Sequence, residues 1–521
     1  MASQDRDINP WLIALAVILP TFMEVLDTSI ASVALPYIAG SLSASIDEAT
    51  WVLTSYLVAN AVVLPASSWF SLRFGRKRFL ITCIVIFTVS SFMCGASTSL
   101  GMILLARAVQ GAGGGALQPL SQAILLESFP PQKRGLAMAM FGLGVVVAPV
   151  LGPTLGGWLT DTYSWRWAFY INIPVGILAI VMISRYVYDP IYIRNARVGR
   201  IDKIGFGLLA IWLGTLQIIL DKGQEDDWFG ATWIRWGAVV LIIAFVAFLV
   251  WEWNKHQPLV NLRVFRDRNF AVGCLLIAMF GGVIYGLVTL LPLFYQELLG
   301  YTALNSGIAV SPRGLGAIIA MPMIGILTSR IDNRYLIGSG FLIFAGCSLW
   351  FADINLGITQ WTLLWAIILS GFGSGCVFVP LSTTTMARLP NEQIGNASGL
   401  YNLLRNIGGS IGISTINTML ARREQVHRAD LVHNINPDNP LLTQQLHGLS
   451  NLIQYSPNTT SQYTVADRAL DLVNQGLSQQ SSLLSFVDDF RYLAIVCFIC
   501  VPLVFMLKKA VARKGAVSSA H

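Results

Sequence analysis

Charged side chains are scarce in this chain of 521 residues. Asp, Glu, Lys and Arg make up 12% of the sequence, whereas hydrophobic residues make up 55%. A soluble protein of this length would form about three or four domains, each with a solvated surface, and an average soluble domain carries about 25% charged residues. The composition therefore excludes a soluble multidomain enzyme and predicts a polytopic membrane protein.

Other residue types and motifs are missing where particular functions would need them. The sequence has no GxxxxGK[ST] phosphate-binding loop, so the chain cannot use ATP on its own. All five histidines lie in predicted loops or in the tail, so carboxylates would have to carry any protons. The seven cysteines lie in apolar segments, which argues against a disulfide framework. We therefore expect no enzymatic activity, no metal site and no cofactor.

Apolar runs of about 20 residues, the length that spans a bilayer as a helix, follow one another along the chain. They predict an all-α membrane protein with fourteen transmembrane helices. The predicted spans are 11–36, 51–72, 79–97, 101–126, 136–158, 167–187, 204–220, 233–251, 270–291, 305–327, 336–352, 360–383, 396–420 and 488–507.

Lys and Arg are distributed unequally between the two sides of these spans. With the amino terminus inside and residues at span ends counted with the adjoining segments, the inner segments hold 23 of the 34, the outer segments hold 8, and three lie deep within spans. Basic residues accumulate in cytoplasmic loops, so both termini are predicted to be cytoplasmic. Asp5 and Asp7 in the leader argue against a cleaved signal peptide.

A repeat indicates two halves. Its matching elements, offset by 260 or 261 residues, are Gly111-x-Gly113-x-Gly115 with Gly371-x-Gly373-x-Gly375, and Pro119-Leu120-Ser121 with Pro380-Leu381-Ser382. Both copies enter a cytoplasmic loop, so the repeat is parallel. We predict a six-helix half over 1–190, two additional spans with linkers over 191–269, and a second six-helix half over 270–521. Its long polar outer loop, 421–487, is either a partly helical cap or disordered.

Five charged residues lie deep within predicted spans, away from the span ends, where a charge is costly and usually faces a cavity or a partner: Glu24, Asp27, Arg107, Arg313 and Arg405. Asp27 lies roughly 13 Å and Arg107 roughly 9 Å from the outer end of its helix. Pairing between them is possible. Burial favours a neutral carboxyl group and a nearby arginine favours a charged one, so Asp27 could exchange a proton. The alternative is a permanent clamp between helices.

Glu24 lies three residues before Asp27, on one face of the first helix. Two carboxylates in a medium of low dielectric constant resist ionising together, so one could hold a proton that a lipophilic cation displaces. Glu24 could instead be a fixed charge near Arg405 or on a polar cavity wall.

The fifth span contains a stripe of small residues. Gly144, Ala148, Gly152 and Gly156 recur every four residues, and two prolines interrupt the run. Such a stripe lets helices approach closely, and proline bends a helix. The segment is predicted to be a packing helix, a hinge between the halves, or both.

Four segments resemble motifs of one known family. They are Leu26–Pro36 in the first span, Gly75-Arg76-Lys77 in the following inner loop, Arg107–Gly111 in the fourth span and Gly144–Gly157 in the fifth. On these segments the chain resembles, over nearly its whole length, the fourteen-span EmrB/QacA drug/proton antiporters of the major facilitator superfamily. The stretch 216–229 is most similar to the EmrB branch. The chain departs from the family loop motif at Ser68, where the family has glycine, and at Leu72, where it has aspartate.

The resemblance implies a proton-coupled multidrug efflux antiporter of the bacterial inner membrane, which confers antibiotic resistance and uses the proton gradient as its energy source. It would export lipophilic compounds from the cytoplasm or inner leaflet. An EmrA-like periplasmic adaptor and a TolC-like outer-membrane channel would complete a tripartite pump. A single-metabolite exporter or a uniporter is the alternative, and a membrane enzyme or sensor is a rival from another class.

The candidate site residues form three groups. The expected proton-coupling residues are Asp27, Glu24 and Arg107. The expected cavity residues are Asn60, Gln118, Tyr285, Phe294, Tyr401, Asn402 and Arg405. The expected conformational motif comprises Arg73, Gly75, Arg76, Gly144, Pro149, Gly152, Pro153, Gly156 and Gly157.

Overall fold

The computed structural model describes residues 9–195, 199, 202–255, 257–433, 435–436, 439–454 and 465–508, and these residues form helices and connecting loops without a strand. A bilayer offers the backbone no water, and a helix satisfies its own amide and carbonyl groups. The two chain ends, predicted to be cytoplasmic, lie outside the described residues at 1–8 and 509–521.

The first part of the chain forms eight α-helices and one 3₁₀ turn, Pro131–Lys133. The helices are α1 (Pro10–Ser41), α2 (Ile46–Phe74), α3 (Arg76–Gly95), α4 (Leu100–Gly114), α5 (Leu117–Ser128), α6 (Arg134–Thr162), α7 (Trp167–Tyr170) and α8 (Asn172–Tyr186).

The middle part contains α9 (Ile191–Arg194), α10 (Lys203–Lys222) and α11 (Thr232–Asn254), with 3₁₀ turns at Trp228–Gly230 and Leu262–Arg266. The last part contains α12 (Arg268–Leu293), a π-helical turn at Phe294–Leu298, α13 (Ala303–Val310), α14 (Pro312–Leu327), α15 (Asn333–Phe351), α16 (Gln360–Met386), α17 (Asn391–Val432), α18 (Pro440–Gln454) and α19 (Val465–Val504).

Twelve helical segments in the described part of the chain are long and apolar enough to cross a membrane. They coincide in order with the first twelve predicted spans, and the chain is a multi-pass membrane protein. The predicted spans 396–420 and 488–507 are helical parts of α17 and α19 but are not among the twelve. Glycine, serine and asparagine lower the hydropathy of α17, and charged residues precede the apolar end of α19. That these two cross the membrane stays a prediction.

The fourth span is one helical segment that a turn divides into two helices. α4 ends at Gly114 and α5 begins at Leu117, with a turn between them. At Gly115 a Cβ atom would lie 2.5 Å from the carbonyl oxygen of Asn60 on α2. The backbones of α4 and α2 approach so closely that only glycine fits at this position. The break between α4 and α5 lies at the same point, and hydropathy alone does not reveal it.

The long outer loop is helical over much of its described length. α17 continues to Val432, α19 begins at Val465, and α18 packs on α19 between them. His427 Nε2 on α17 lies 2.9 Å from Asp488 Oδ2 on α19, so the two long helices are also joined by a polar contact. Residues 434, 437–438 and 455–464 of this loop lie outside the described part.

The first and last groups of helices show the same pattern of neighbours. α1 packs on α6, α2 and α3 on α4, and α3 on α8; correspondingly, α12 packs on α17, α14 and α15 on α16, and α15 on α19. The two groups meet where α6 contacts α14 and where α17 contacts α2 and α5. α10 packs on α11 and touches both α2 and α17. The division at 1–190, 191–269 and 270–521 stays a prediction.

The glycines of the repeat make equivalent close approaches. A Cβ atom at Gly111 would overlap the carbonyl oxygen of Tyr56 on α2, and one at Gly371 would overlap that of Arg313 on α14. In both halves a glycine therefore lets a long helix touch its neighbour's backbone, as small residues do at helix interfaces in membranes.

Candidate functional site

Asp27 lies in a fully buried polar cluster between α1, α4 and α8. Arg107 Nη1 lies 2.6 Å from Asp27 Oδ2, and both side chains are 0% exposed. Gln110 Nε2 and Asn172 Nδ2 donate to the other oxygen, Oδ1, at 3.0 and 2.6 Å. The pairing of Asp27 with Arg107, which their depths allow, is thus present in the structure.

Arg107 is held from several sides. Its Nε donates to the carbonyl oxygen of Val52 at 3.1 Å, and Nη1 also donates to Gln110 Oε1 at 2.9 Å. The guanidinium carbon lies 4.2 Å from the ring centroid of Tyr56 and 5.6 Å from that of Phe169. A buried ion pair is tolerated when further hydrogen bonds offset the loss of water. The cluster therefore joins α1, α2, α4, α7 and α8 through one charge pair.

Glu24 lies one turn before Asp27 but contacts different groups. Asn60 Nδ2 donates to Glu24 Oε1 at 2.9 Å. The other oxygen, Oε2, is buried and has no hydrogen-bond partner among the described residues. Glu24 lines a cavity of about 330 Å³, whereas Asp27 is not among the residues of its wall. The two carboxylates thus face different surroundings, although they share one helix.

The cavity lies between the two groups of helices, with walls from α1, α2, α12 and α17 and contributions from α5, α6 and α10. Three expected cavity residues, Asn60, Gln118 and Tyr285, line it. The wall combines polar with apolar side chains: Glu24, Thr28, Ser29, Gln217, Thr289, Asn406 and Ser410 with Val25, Leu53, Leu57, Val288 and Ile413. Such a mixture fits a lipophilic molecule that carries a few polar groups.

Four expected cavity residues lie elsewhere. Phe294 packs edge-to-face in the core, 5.8 Å from the ring of Phe486. Tyr401 is fully buried, and Asn402 Nδ2 donates to Gln122 Oε1 at 2.6 Å. Arg405 donates to Gln118 and lines a smaller adjoining chamber. The residue types were suitable for a cavity, but the sequence does not specify how each helix is rotated about its axis.

The expected conformational stripe packs α6 against α1. Pro153 has no N–H and leaves the carbonyl oxygen of Pro149, four residues earlier, without its helical donor. Ser29 Oγ on α1 donates to that oxygen at 3.0 Å. A Cβ atom at Gly152 would overlap the Ser29 side chain. The proline and the glycine thus create a docking point for Ser29 on α6.

The other glycines of the stripe face further neighbours. Cβ atoms at Gly144 and Gly156 would lie 3.1 Å from Ile18 and 3.3 Å from Ile30 on α1. Gly157 faces Leu304 on α13, with 3.7 Å between the Cβ positions. One stripe therefore serves packing within the first group of helices and contact with the second.

Arg76 is buried at the start of α3, at the end of that helix predicted to be cytoplasmic. Its Nη1 and Nη2 donate to Glu127 at 2.9 and 3.0 Å, and Nη2 also donates to the Tyr192 hydroxyl at 2.7 Å. Burial raises the pKa of Tyr192, so its hydroxyl keeps its proton and donates to Glu127 in turn. Gly75 has a φ of 86°, and a Cβ atom there would lie 2.9 Å from Asp189 Oδ2. Arg73 is exposed.

Sequence reasoning missed several residues of these clusters. Gln110 and Asn172 are polar residues within apolar spans, a signal that a search restricted to charged residues overlooks. Gln217, on the additional helix α10, lines the cavity and accepts a hydrogen bond from Ser410 at 3.0 Å. Glu127 and Tyr192 lie at helix ends, where polar residues are common, and nothing local marks them as partners of Arg76.

Comparison with known proteins agrees with this arrangement of helices. The sequence pattern of the Major Facilitator Superfamily matches residues 17–413. The chain belongs to this superfamily. It is 38% identical over 514 residues to the multidrug export protein EmrB of Escherichia coli strain K12, covering 98% of each chain. It is 34% identical over 508 residues to the probable multidrug resistance protein EmrY of the same strain, covering 97% of this chain and 96% of that one.

A solved structure shares the superfamily fold. The human organic anion transporter MFSD10 (TETRAN) superimposes with a TM-score of 0.57 at 14% identity, covering 94% of this chain and 99% of that one. At this identity the likeness concerns the fold alone. The chain is therefore an EmrB-type member of the superfamily with its common fold.

Proposed function

We propose that this protein exports lipophilic compounds from the cytoplasm or the inner leaflet in exchange for protons. Relatives over nearly its whole length are named as multidrug export and resistance proteins. The observation that carries the exchange is the environment of Glu24. This buried carboxyl group lines the central cavity with one oxygen unpartnered among the described residues, and the cavity wall holds no other acidic side chain there.

Glu24 and Asp27 take different parts in this proposal. Glu24 is the group that cargo reaches, so a lipophilic cation in the cavity competes with a proton for its carboxylate. Asp27 is enclosed by Arg107, Gln110 and Asn172 and holds α1 to α4 and α8. Protonation of Asp27 would remove one charge of the pair, release Arg107 and let these helices move apart. The proton gradient is the energy source, and no cofactor is required.

A flux measurement with a Glu24 variant tests the exchange. Glu24→Gln can still accept the hydrogen bond from Asn60 but cannot ionise. In proteoliposomes with an imposed pH gradient, we expect ethidium efflux to fall at least about tenfold, equivalent to about 1.4 kcal/mol. Glu392→Gln, which changes an exposed carboxylate at the start of α17, is the matched control. Full gradient-driven efflux by Glu24→Gln would show that another group couples the proton.

The same assay separates the alternatives. Efflux that a protonophore does not affect favours a uniporter, and efflux of only one compound from a varied panel favours a single-metabolite exporter.

The proposed setting is the bacterial inner membrane with both chain ends in the cytoplasm, as the distribution of Lys and Arg supports. An EmrA-like adaptor and a TolC-like channel complete the proposed assembly. The parts of α17 and α19 that extend beyond the predicted spans on the outer side support such an assembly. A pull-down from native membranes tests it, and recovery of this chain alone would count against it.

A further inference from the structure

Arg313 is a buried cation without a partner in the described part of the protein. Its side chain, on α14, is 1% exposed. None of its three guanidinium nitrogens has a hydrogen-bond partner among the described residues. Charged groups within a membrane protein usually pair with one another or face a cavity. The buried guanidinium group of Arg313 could therefore bind a ligand that supplies hydrogen-bond acceptors.

A second arginine lines the same small chamber. Arg405 Nη2 donates to Gln118 and, at 3.4 Å, to Asn406 Oδ1, while its Nε and Nη1 have no partner among the described residues. Arg313 and Arg405 both line a chamber of about 30 Å³. Its other walls are aromatic and aliphatic, with Phe280 and Phe378 among them, and no acidic side chain lines it in the described part of the chain.

The small chamber adjoins the central cavity. Pro149, Tyr285 and Val288 line both, so the two spaces adjoin along one wall. A volume of about 30 Å³ holds about two water-sized groups, since each needs about 10–15 Å³. Two such groups correspond to the oxygens of one carboxylate. The neighbouring cavity, at about 330 Å³ and with Leu53, Leu57 and Val288 among the apolar residues of its wall, has room for a hydrocarbon chain or a ring.

We propose that Arg313 and Arg405 bind the carboxylate group of an amphipathic organic acid whose apolar part occupies the central cavity. This inference rests on that cavity being the cargo site of the proposed function. Guanidinium groups match carboxylates because their N–H donors lie in one plane at the spacing of the two oxygens. The acid head thus lies at the arginine chamber, whereas a cationic cargo pairs with Glu24 in the wall of the central cavity.

Direct binding tests this site. The full chain in lipid nanodiscs is titrated with radiolabelled decanoate and, separately, with decyltrimethylammonium, a cation with the same tail. We expect Arg313→Met to weaken decanoate binding about tenfold to a hundredfold, because a hydrogen bond to a charged group contributes about 1.5–3 kcal/mol. Binding of decyltrimethylammonium should change less than about twofold. Arg330→Met, which removes an exposed positive charge after α14, should leave both affinities unchanged.

Thermal unfolding controls for misfolding. Arg313→Met removes a charge without leaving a described partner unsatisfied, so its melting temperature should equal or exceed that of the parent chain. Decanoate should raise the melting temperature of the parent and not of the variant. If Arg313→Met does not fold, Arg313→Lys keeps the charge but loses the planar donors, and it should bind decanoate several-fold more weakly.

Three results would overturn the inference: unchanged decanoate binding by folded Arg313→Met, no decanoate binding by the parent chain, or acetate and chloride competing as well as decanoate. The last would identify a site for small anions that does not recognise the apolar tail. The titration uses no proton gradient, so it does not depend on coupling. Proton-driven ethidium efflux without decanoate binding would reject this inference alone, and decanoate binding without coupled efflux would reject only the antiport mechanism.

Discussion

Asp27 illustrates how a membrane-spanning helix tolerates a charge. Three side chains donate to its two oxygens, and one of them, Arg107, supplies the opposite charge. Removing two charges from water is costly, and the cost is offset only when attraction and hydrogen bonds are nearly complete. The cluster is therefore sensitive to the loss of either charged member. It is also a place where one added proton changes the forces between helices.

Asp27→Asn is expected to abolish efflux driven by a pH gradient. The variant cannot change its charge, and it leaves Arg107 buried without a counter-charge, which costs about 3–5 kcal/mol. We therefore expect a lower melting temperature together with the loss of coupling, both measured on the purified protein, the second after reconstitution.

The double variant Asp27→Asn, Arg107→Gln separates stability from coupling. It removes the orphaned charge, so the melting temperature should recover while coupled efflux stays absent. Recovery of gradient-driven efflux in the double variant would instead assign the pair a purely structural role, that of a clamp between α1 and α4.

At the scale of the helix, α6 shows how a missing helical hydrogen bond allows contact with a neighbouring helix. Pro153 removes a donor from the helix, and Ser29 on the neighbouring α1 supplies one. Gly152 provides the space that the Ser29 side chain occupies. Proline bends a helix, so close packing and bending are compatible in this segment. The packing is present in the structure, and the hinge role stays a prediction.

Gly152→Ala is expected to destabilise the protein by about 1–3 kcal/mol, the usual range for overpacking, because the added methyl group overlaps Ser29. Adding Ser29→Gly should restore part of the lost stability by removing the overlapping atoms. Thermal unfolding of both variants provides the measurement. Gly40→Ala on α1 is the control, since a Cβ atom there meets nothing within 4 Å. Equal stability of Gly152→Ala and Gly40→Ala would contradict the packing at this point.

At the scale of the whole molecule, the cavity exists because two groups of helices meet along a few contacts. α6 touches α13 and α14, and α17 touches α2 and α5. α10 takes part in two polar contacts near one end: Lys222 Nζ donates to Thr50 Oγ1 at 2.5 Å, and Gln217 Oε1 accepts from Ser410 Oγ. In alternating access the two halves rock against each other around a central site. Contacts between α6 and α13 must then break and re-form in each cycle.

A disulfide between α6 and α13 should block transport. The Cβ positions of Gly157 and Leu304 lie 3.7 Å apart, within the range of about 3.5–4.5 Å that a disulfide requires. Gly157→Cys combined with Leu304→Cys should therefore cross-link under mild oxidation, and ethidium efflux should stop. A reductant should restore it.

The single cysteine variants are the controls, and the seven native cysteines are free and buried. Full efflux by the cross-linked protein would mean that the halves do not separate at this contact during transport.

Much of the architecture follows from local composition. Runs of about 20 apolar residues have to form helices across a bilayer, and the positions of Lys and Arg favour one orientation. The spacing of the repeated glycines indicated two related halves, and both copies make the same kind of backbone contact in the structure. The sequence could predict that Asp27 and Arg107 lie at similar depths in the membrane, because depth along a helix follows from the number of residues.

Tertiary structure alone decided which side chains share a space. Depth is a property of one helix, whereas rotation about the axis and the choice of neighbour depend on packing against several others. This is why Asn60, Gln118 and Tyr285 line the cavity while Phe294, Tyr401 and Asn402 do not. For the same reason Glu24 and Asp27 face different surroundings, and Arg313 and Arg405, 92 positions apart by their numbers, share one chamber.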